Sequence, residues 1–151
     1  GLARAAGVGG MVGGQMLDLE GEKQALDETA IRRMQAMKTG AMIRYACEAG
    51  AILGGAGAAD RQRLTLLGET IGLAFQLADD LLDLTGDAAT LGKAAGKDAA
   101  RGKKTIPGLK GEAATRAMLA GLVAEAEALL SSFADGATLA AAARFIADRR
   151  N

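Results

Sequence analysis

The chain has 151 residues, half of them apolar and 24% charged, enough for one domain with a core of its own. Together with eighteen basic side chains that offset eighteen acidic ones, this composition excludes a disordered tail, a collagen-like repeat and a polybasic nucleic-acid binder. With one cysteine, Cys47, and no histidine, disulfide frameworks, Cys-rich zinc sites, Ser-His-Asp triads and imidazole acid–base chemistry are excluded as well.

Carboxylates, lysines, amides and metals remain to carry any chemistry, and cysteine usage fits a reducing, cytoplasmic setting. No uncharged apolar stretch approaches the ~18 residues that a membrane span needs, so no integral membrane association is expected. Pro107 is the only proline, aromatics are 3%, and Ala, Leu, Met and Glu are abundant. An all-α fold follows. The 22 glycines must then mark breaks or close helix contacts.

In chain order, Gly1 to Leu19 predicts a small-residue helix, and Glu20 to Lys23 a polar loop. A second helix starts near Asp27, which can cap it, and carries Ile31, Met34, Met37, Ile43 and Ala46 at helical intervals toward Gly54. Ala58–Asp60 offers a turn and a cap for a third. That helix carries Leu64, Leu67, Ile71, Ala74, Phe75, Leu77, Ala78, Leu81 and Leu82, and Gly86 ends it. Residues 86–110 combine glycines, the proline and basic side chains with few large apolar groups, and predict a long, mobile, cationic loop. Two amphipathic helices close the chain, Glu112–Ala134 and Thr138–Arg149, the latter with Leu139, Ala142, Ala143 and Ile146 on one face.

The segment that carries chemistry runs from Phe75 to Asp83. On a helix Asp79 and Asp83 stand one turn apart, Asp80 sits beside them, and Gln76 lies one turn earlier on the same side. Like charges at this spacing cost ~0.2–0.5 kcal/mol per pair, and near a helix C-terminus they also oppose the macrodipole. A hard divalent cation would compensate, because Mg²⁺ is commonly held by one or two carboxylates together with substrate phosphates. A solvated acidic face paired with lysines is the other reading. Lys38-Thr39-Gly40 interrupts an otherwise apolar face, and Lys93, Lys97, Lys103 and Lys104 follow the carboxylates. Lysine is a compact point charge suited to phosphate oxygens, although each loop lysine taken singly reads as a solvated charge. Gln15 and Asp18, at i and i+3 on a glycine-rich helix, read as close packing with a polar pair. Tyr45, Cys47 and the run Met34, Met37, Met42 read as packing.

Taken in order, these residues resemble the trans-isoprenyl diphosphate synthases, particularly the bacterial farnesyl diphosphate synthase group, over essentially the whole chain. Gly14-Gln15 with Asp18-Leu19 is similar to the family's GQxxDL element, Lys38-Thr39-Gly40 to its KTG, and Phe75 through Asp83 to its second aspartate-rich motif. Gly92-Lys93, Lys97-Asp98 and Gly102-Lys103 with Thr105 and Pro107 are similar to its GK…D…GKxTxP loop.

The resemblance implies an all-helical bundle of the isoprenoid (terpenoid) synthase type, normally a homodimer, with residues 1–151 as the C-terminal half of one domain. It implies head-to-tail condensation of isopentenyl diphosphate with an allylic diphosphate. Asp79 would ligate Mg²⁺, Asp80 and Asp83 would hold the metal's water shell, and Lys38 and Lys93 would bind the allylic diphosphate. Thr39 and Gln76 would line the site where the allylic cation forms, Lys103 would add charge to a closing loop, and Phe75 would pack on isopentenyl diphosphate.

Three departures accompany it. Ile106 replaces the family's tyrosine, Met34 to Met37 lack the histidine often found before KTG, and the first aspartate-rich motif of the family is missing. The expectation is therefore a half-domain that does not turn over alone. A non-catalytic subunit packing on a complete synthase is the rival reading; a terpene cyclase fits poorly, since KTG and GKxTxP belong to the elongating enzymes.

Overall fold

The structure, a computed structural model, describes residues 1–23, 26–85 and 105–148. Among them there is no strand, as expected of this composition.

The first predicted helix is two: α1 (Leu2–Ala6) and α2 (Met11–Gly21). The break lies in the glycine-rich stretch Gly7–Gly10, where the chain folds back so tightly that a Cβ on Gly10 would sit 1.9 Å from the Ala5 carbonyl oxygen. α2 continues through Gly21, into the predicted loop. Asp27 caps α3 (Glu28–Gln35) as its sequence position suggests, its Oδ1 accepting from the Ala30 N–H at 2.8 Å.

The predicted second helix is not uniform. Between α3 and α4 (Ala41–Leu53) the backbone widens into a π-helical turn, Ala36–Gly40. A π turn holds one extra residue and advances every later side chain by about 100°. The buried positions record that shift: Ile31 and Gln35 are four apart, the next is Gly40, five on, and Ala51 lies inside while Ala46 is exposed. Straight periodicity placed Ala46 on the face of Ile31.

The axis of the fold is α5 (Ala58–Thr85), 28 residues and about 42 Å long. It packs along α4 on one side and along α7 (Glu112–Leu130) on another. On the α4 side the approach is close because Gly68 and Gly72, one turn apart, carry no side chain. A Cβ on Gly72 would fall 2.9 Å from the Gly40 Cα, and one on Gly68 2.5 Å from the Arg44 Cα. α5 also joins the two core clusters. Ala74, Leu77, Ala78 and Leu81 pack with Ile31, Ile106 and Leu119; Leu67 and Ile71 pack with Ala126, Leu130 and Ala143.

Residues 86–104 lie outside the described residues, and with them Gly86, Lys93, Lys97, Lys103 and Lys104. The end of the predicted 86–110 loop is not loop: Ile106–Lys110 forms the short helix α6. Thr105 caps it by accepting from the Gly108 N–H, and Pro107 occupies the first turn, where its missing N–H costs nothing. α7 ends at Leu130, four residues before the predicted boundary, and α8 (Ala137–Ala147) is the last helix described. Its inner face is rotated from the predicted one: Ala140, Ala143 and Ile146 pack inward, whereas Leu139 and Ala142 are exposed. No helix among the described residues is long and apolar enough to cross a membrane.

Candidate active site

The π turn carries Lys38 and Thr39, and its neighbour α2 shapes what the lysine does. Gly14 lies directly against it: a Cβ there would be 2.1 Å from the Lys38 backbone nitrogen and 2.5 Å from its Cα. Only glycine lets α2 come this near. The approach delivers Asp18, one turn along α2, whose Oδ2 accepts from Lys38 Nζ at 2.7 Å. Asp18 is buried while the lysine side chain stays 35% exposed, so the carboxylate anchors an ammonium that still faces outward.

A second polar tie joins this turn to the acidic end of α5. Gln35, the last residue before the π turn, donates from Nε2 to Asp80 Oδ2 at 2.9 Å, with both side chains buried. Gln35 Oε1 is buried without a hydrogen-bond partner among the described residues. Lys38 therefore stands within a turn of the residue that grips the acidic cluster.

The three aspartates do not share one environment. Asp79 is exposed, Asp83 half-buried and Asp80 buried, because consecutive helical residues point about 100° apart and Asp80 falls on the side facing α3. Among the described residues no three acidic or cysteine side chains converge in a metal-holding arrangement. The donor set nevertheless suits Mg²⁺. Asp79 and Asp83 offer hard oxygens from one helix face, and that ion is usually bound through one or two carboxylates with water and phosphate supplying the rest. Phe75 and Gln76, one turn earlier on α5, are half-buried, as is Thr39. The predicted residues described thus fall on two elements, the π turn and the end of α5, which Gln35 ties together.

Two residues of this arrangement escaped a functional reading of the sequence. Asp18 looked like part of a packing pair, and the signal for its role was the lysine on the facing turn. Gln35 had no signal, since its pairing with Asp80 spans 45 residues. Two hollows of about 400 and 340 Å³ open beside α3, but neither is lined by Lys38 or by the α5 carboxylates. Cys47, half-buried on α4, has its thiol pKa pushed up by desolvation, which disfavours the reactive thiolate.

Solved structures share this fold. An FPP/GFPP synthase from Zymomonas mobilis superposes with a TM-score of 0.83 at 41% identity, covering 96% of this chain and 48% of that one. A polyprenyl synthase from Caulobacter crescentus, solved with calcium and isoprenyl diphosphate, gives 0.87 at 30% identity, covering 99% and 58%. The farnesyl diphosphate synthase of Escherichia coli is 42% identical over 150 residues, which is 97% of this chain and 50% of that enzyme. The fold is that of the all-α isoprenoid synthases. The sequence profile of the Polyprenyl synthetase family matches residues 5–132, and the chain belongs to that family. It spans about half the length of the curated relatives it matches.

Proposed function

We propose that this chain carries half of the site of a short-chain prenyl diphosphate synthase, a cytoplasmic, homodimeric transferase that joins isopentenyl diphosphate head-to-tail to an allylic diphosphate with Mg²⁺. The observation that carries the reading is the Gln35–Asp80 bond, which sets the lysine turn against the acidic end of α5. A lysine turn tied to a helix end that carries the exposed Asp79 and the half-buried Asp83 supplies the charges a metal-bridged diphosphate requires.

In this reading Lys38, oriented by Asp18, binds the allylic diphosphate together with Lys93. Asp79 ligates the metal, and Asp83, with Asp80 from the inner side, holds its water shell. Mg²⁺ bound there would neutralise charge on the departing diphosphate. Thr39 and Gln76 line the place where the allylic carbon becomes electron-poor, Phe75 packs on isopentenyl diphosphate, and Lys103 adds charge from the segment after α5. The apolar walls of α4 and α5 keep water from that carbon. In this reading residues 1–151 alone do not turn over, because they hold no counterpart of the family's first aspartate-rich motif.

The test is product formation by the full-length synthase that contains these residues, with Mg²⁺, labelled isopentenyl diphosphate and dimethylallyl diphosphate. Prenyl diphosphate product is expected. Asp79→Ala should lower its rate about 100-fold or more without loss of folding. Unchanged activity in that variant would refute the metal role.

A further inference from the structure

Gln35 is 5% exposed, belongs to the last turn of α3, and reaches across to α5 to donate to Asp80. Hydrogen bonds to an ionised acceptor are shorter and stronger than neutral ones, and a buried setting strengthens them further. Packing does not account for an amide at this position. Its Oε1 is buried with no donor among the described residues, which disfavours folding, whereas methionine would fill a similar volume without an orphaned acceptor. What only the amide supplies is the N–H aimed at Asp80.

Asp80 is flanked by Asp79 and lies one turn before Asp83, so the rotation of that helical segment decides where the outward carboxylates stand. The same Gln35 directly precedes the π turn that carries Lys38. This side chain thus ties the α5 carboxylates to the turn that carries the lysine. We infer that Gln35 is a positioning residue for the metal–diphosphate site: by holding Asp80 inward it fixes Asp79 and Asp83 in register with Lys38. This rests on the function proposed above.

The experiment is calorimetric titration of the full chain with inorganic pyrophosphate in Mg²⁺, a readout independent of turnover, with thermal melts confirming that each variant is folded. Gln35→Met removes the N–H and should weaken binding about tenfold or more, the usual size of an effect transmitted through a ligand's hydrogen-bond partner. Gln35→His restores an N–H at similar reach and should bind within about threefold of the wild type. A folded Gln35→Met that binds as the wild type does overturns the inference. So does a folded Gln35→His that binds as weakly as Gln35→Met, since that marks mere disturbance of the packing. Should Gln35→Met fail to fold, the Gln35→His titration decides alone: near-wild-type binding supports the inference, and a tenfold loss contradicts it. Absence of binding by the wild type strikes instead at the proposed function, and so separates the two failures.

Discussion

Gly14→Ala puts the contact between α2 and the lysine turn under direct strain. The new Cβ would lie 2.1 Å from the Lys38 nitrogen, backbone that cannot swing aside as a flexible side chain can. Ordinary van der Waals separation starts near 3.4 Å, so the two helices must part locally by about 1.3 Å. Overpacking of this kind costs about 1–3 kcal/mol, and the intrinsic helix preference of alanine over glycine returns up to about 1 kcal/mol. A contact this short against backbone puts the clash near the upper end of its range, so a net destabilisation of about 2 kcal/mol is expected. Gly50→Ala is the control: it lies in α4, is exposed, and a methyl group added there would meet nothing within 4 Å. There the same substitution should stabilise by about 0.5–1 kcal/mol. Urea unfolding of both variants beside the wild type reads the sign. A Gly14→Ala chain as stable as the wild type would refute the close approach of α2 to the π turn.

Other substitutions probe the core and the surface. Leu77 is fully buried between α3, α6 and α7, so Leu77→Ala should lose about 2–5 kcal/mol in the same unfolding assay. Glu28 has its carboxyl pKa held below the usual carboxylate range, first by the hydrogen bond from Lys110 and then by that from Arg32. A depressed folded-state pKa contributes stability above the ordinary glutamate value and loses it as pH falls through the folded one. The stability gap between the wild type and Lys110→Met should therefore be present at neutral pH and close once the pH is below both values, as read by denaturant titration across that range. A gap independent of pH would show that Lys110 acts through packing alone.

The fold was legible where local rules act alone. Composition announced helices, Asp27 announced a cap, and Leu67, Ile71, Ala74, Leu77, Ala78 and Leu81 announced the inward face of α5. Misreadings arose where the backbone departs from a regular period or where tertiary contact overrides it. The π turn looks in sequence like any other stretch of helix, yet it re-phases everything after Gly40. Pro107 suggested loop because a proline inside a helix is unfavourable, but at the first turn it starts one. The face of α8 was legible only in part: Ala143 and Ile146 do pack inward, while Ala142 is exposed, since alanine fits either setting almost equally, and Leu139 is exposed as well. At the site, Lys38 and the α5 aspartates were recognisable from charge placed on apolar helices. Their ties to Asp18 and Gln35 were not, because such pairings depend on how helices distant in sequence come to lie together.

On the function proposed here, the lysine turn and the acidic end of α5 together bind a metal-bridged diphosphate. Pyrophosphate binding by the wild type, Lys38→Met and Asp79→Ala, each measured with and without Mg²⁺, addresses it most directly. Binding by the wild type should require the metal, and each substitution should weaken it about tenfold or more. Metal-independent binding, or binding indifferent to both substitutions, would rule out a diphosphate site at these residues.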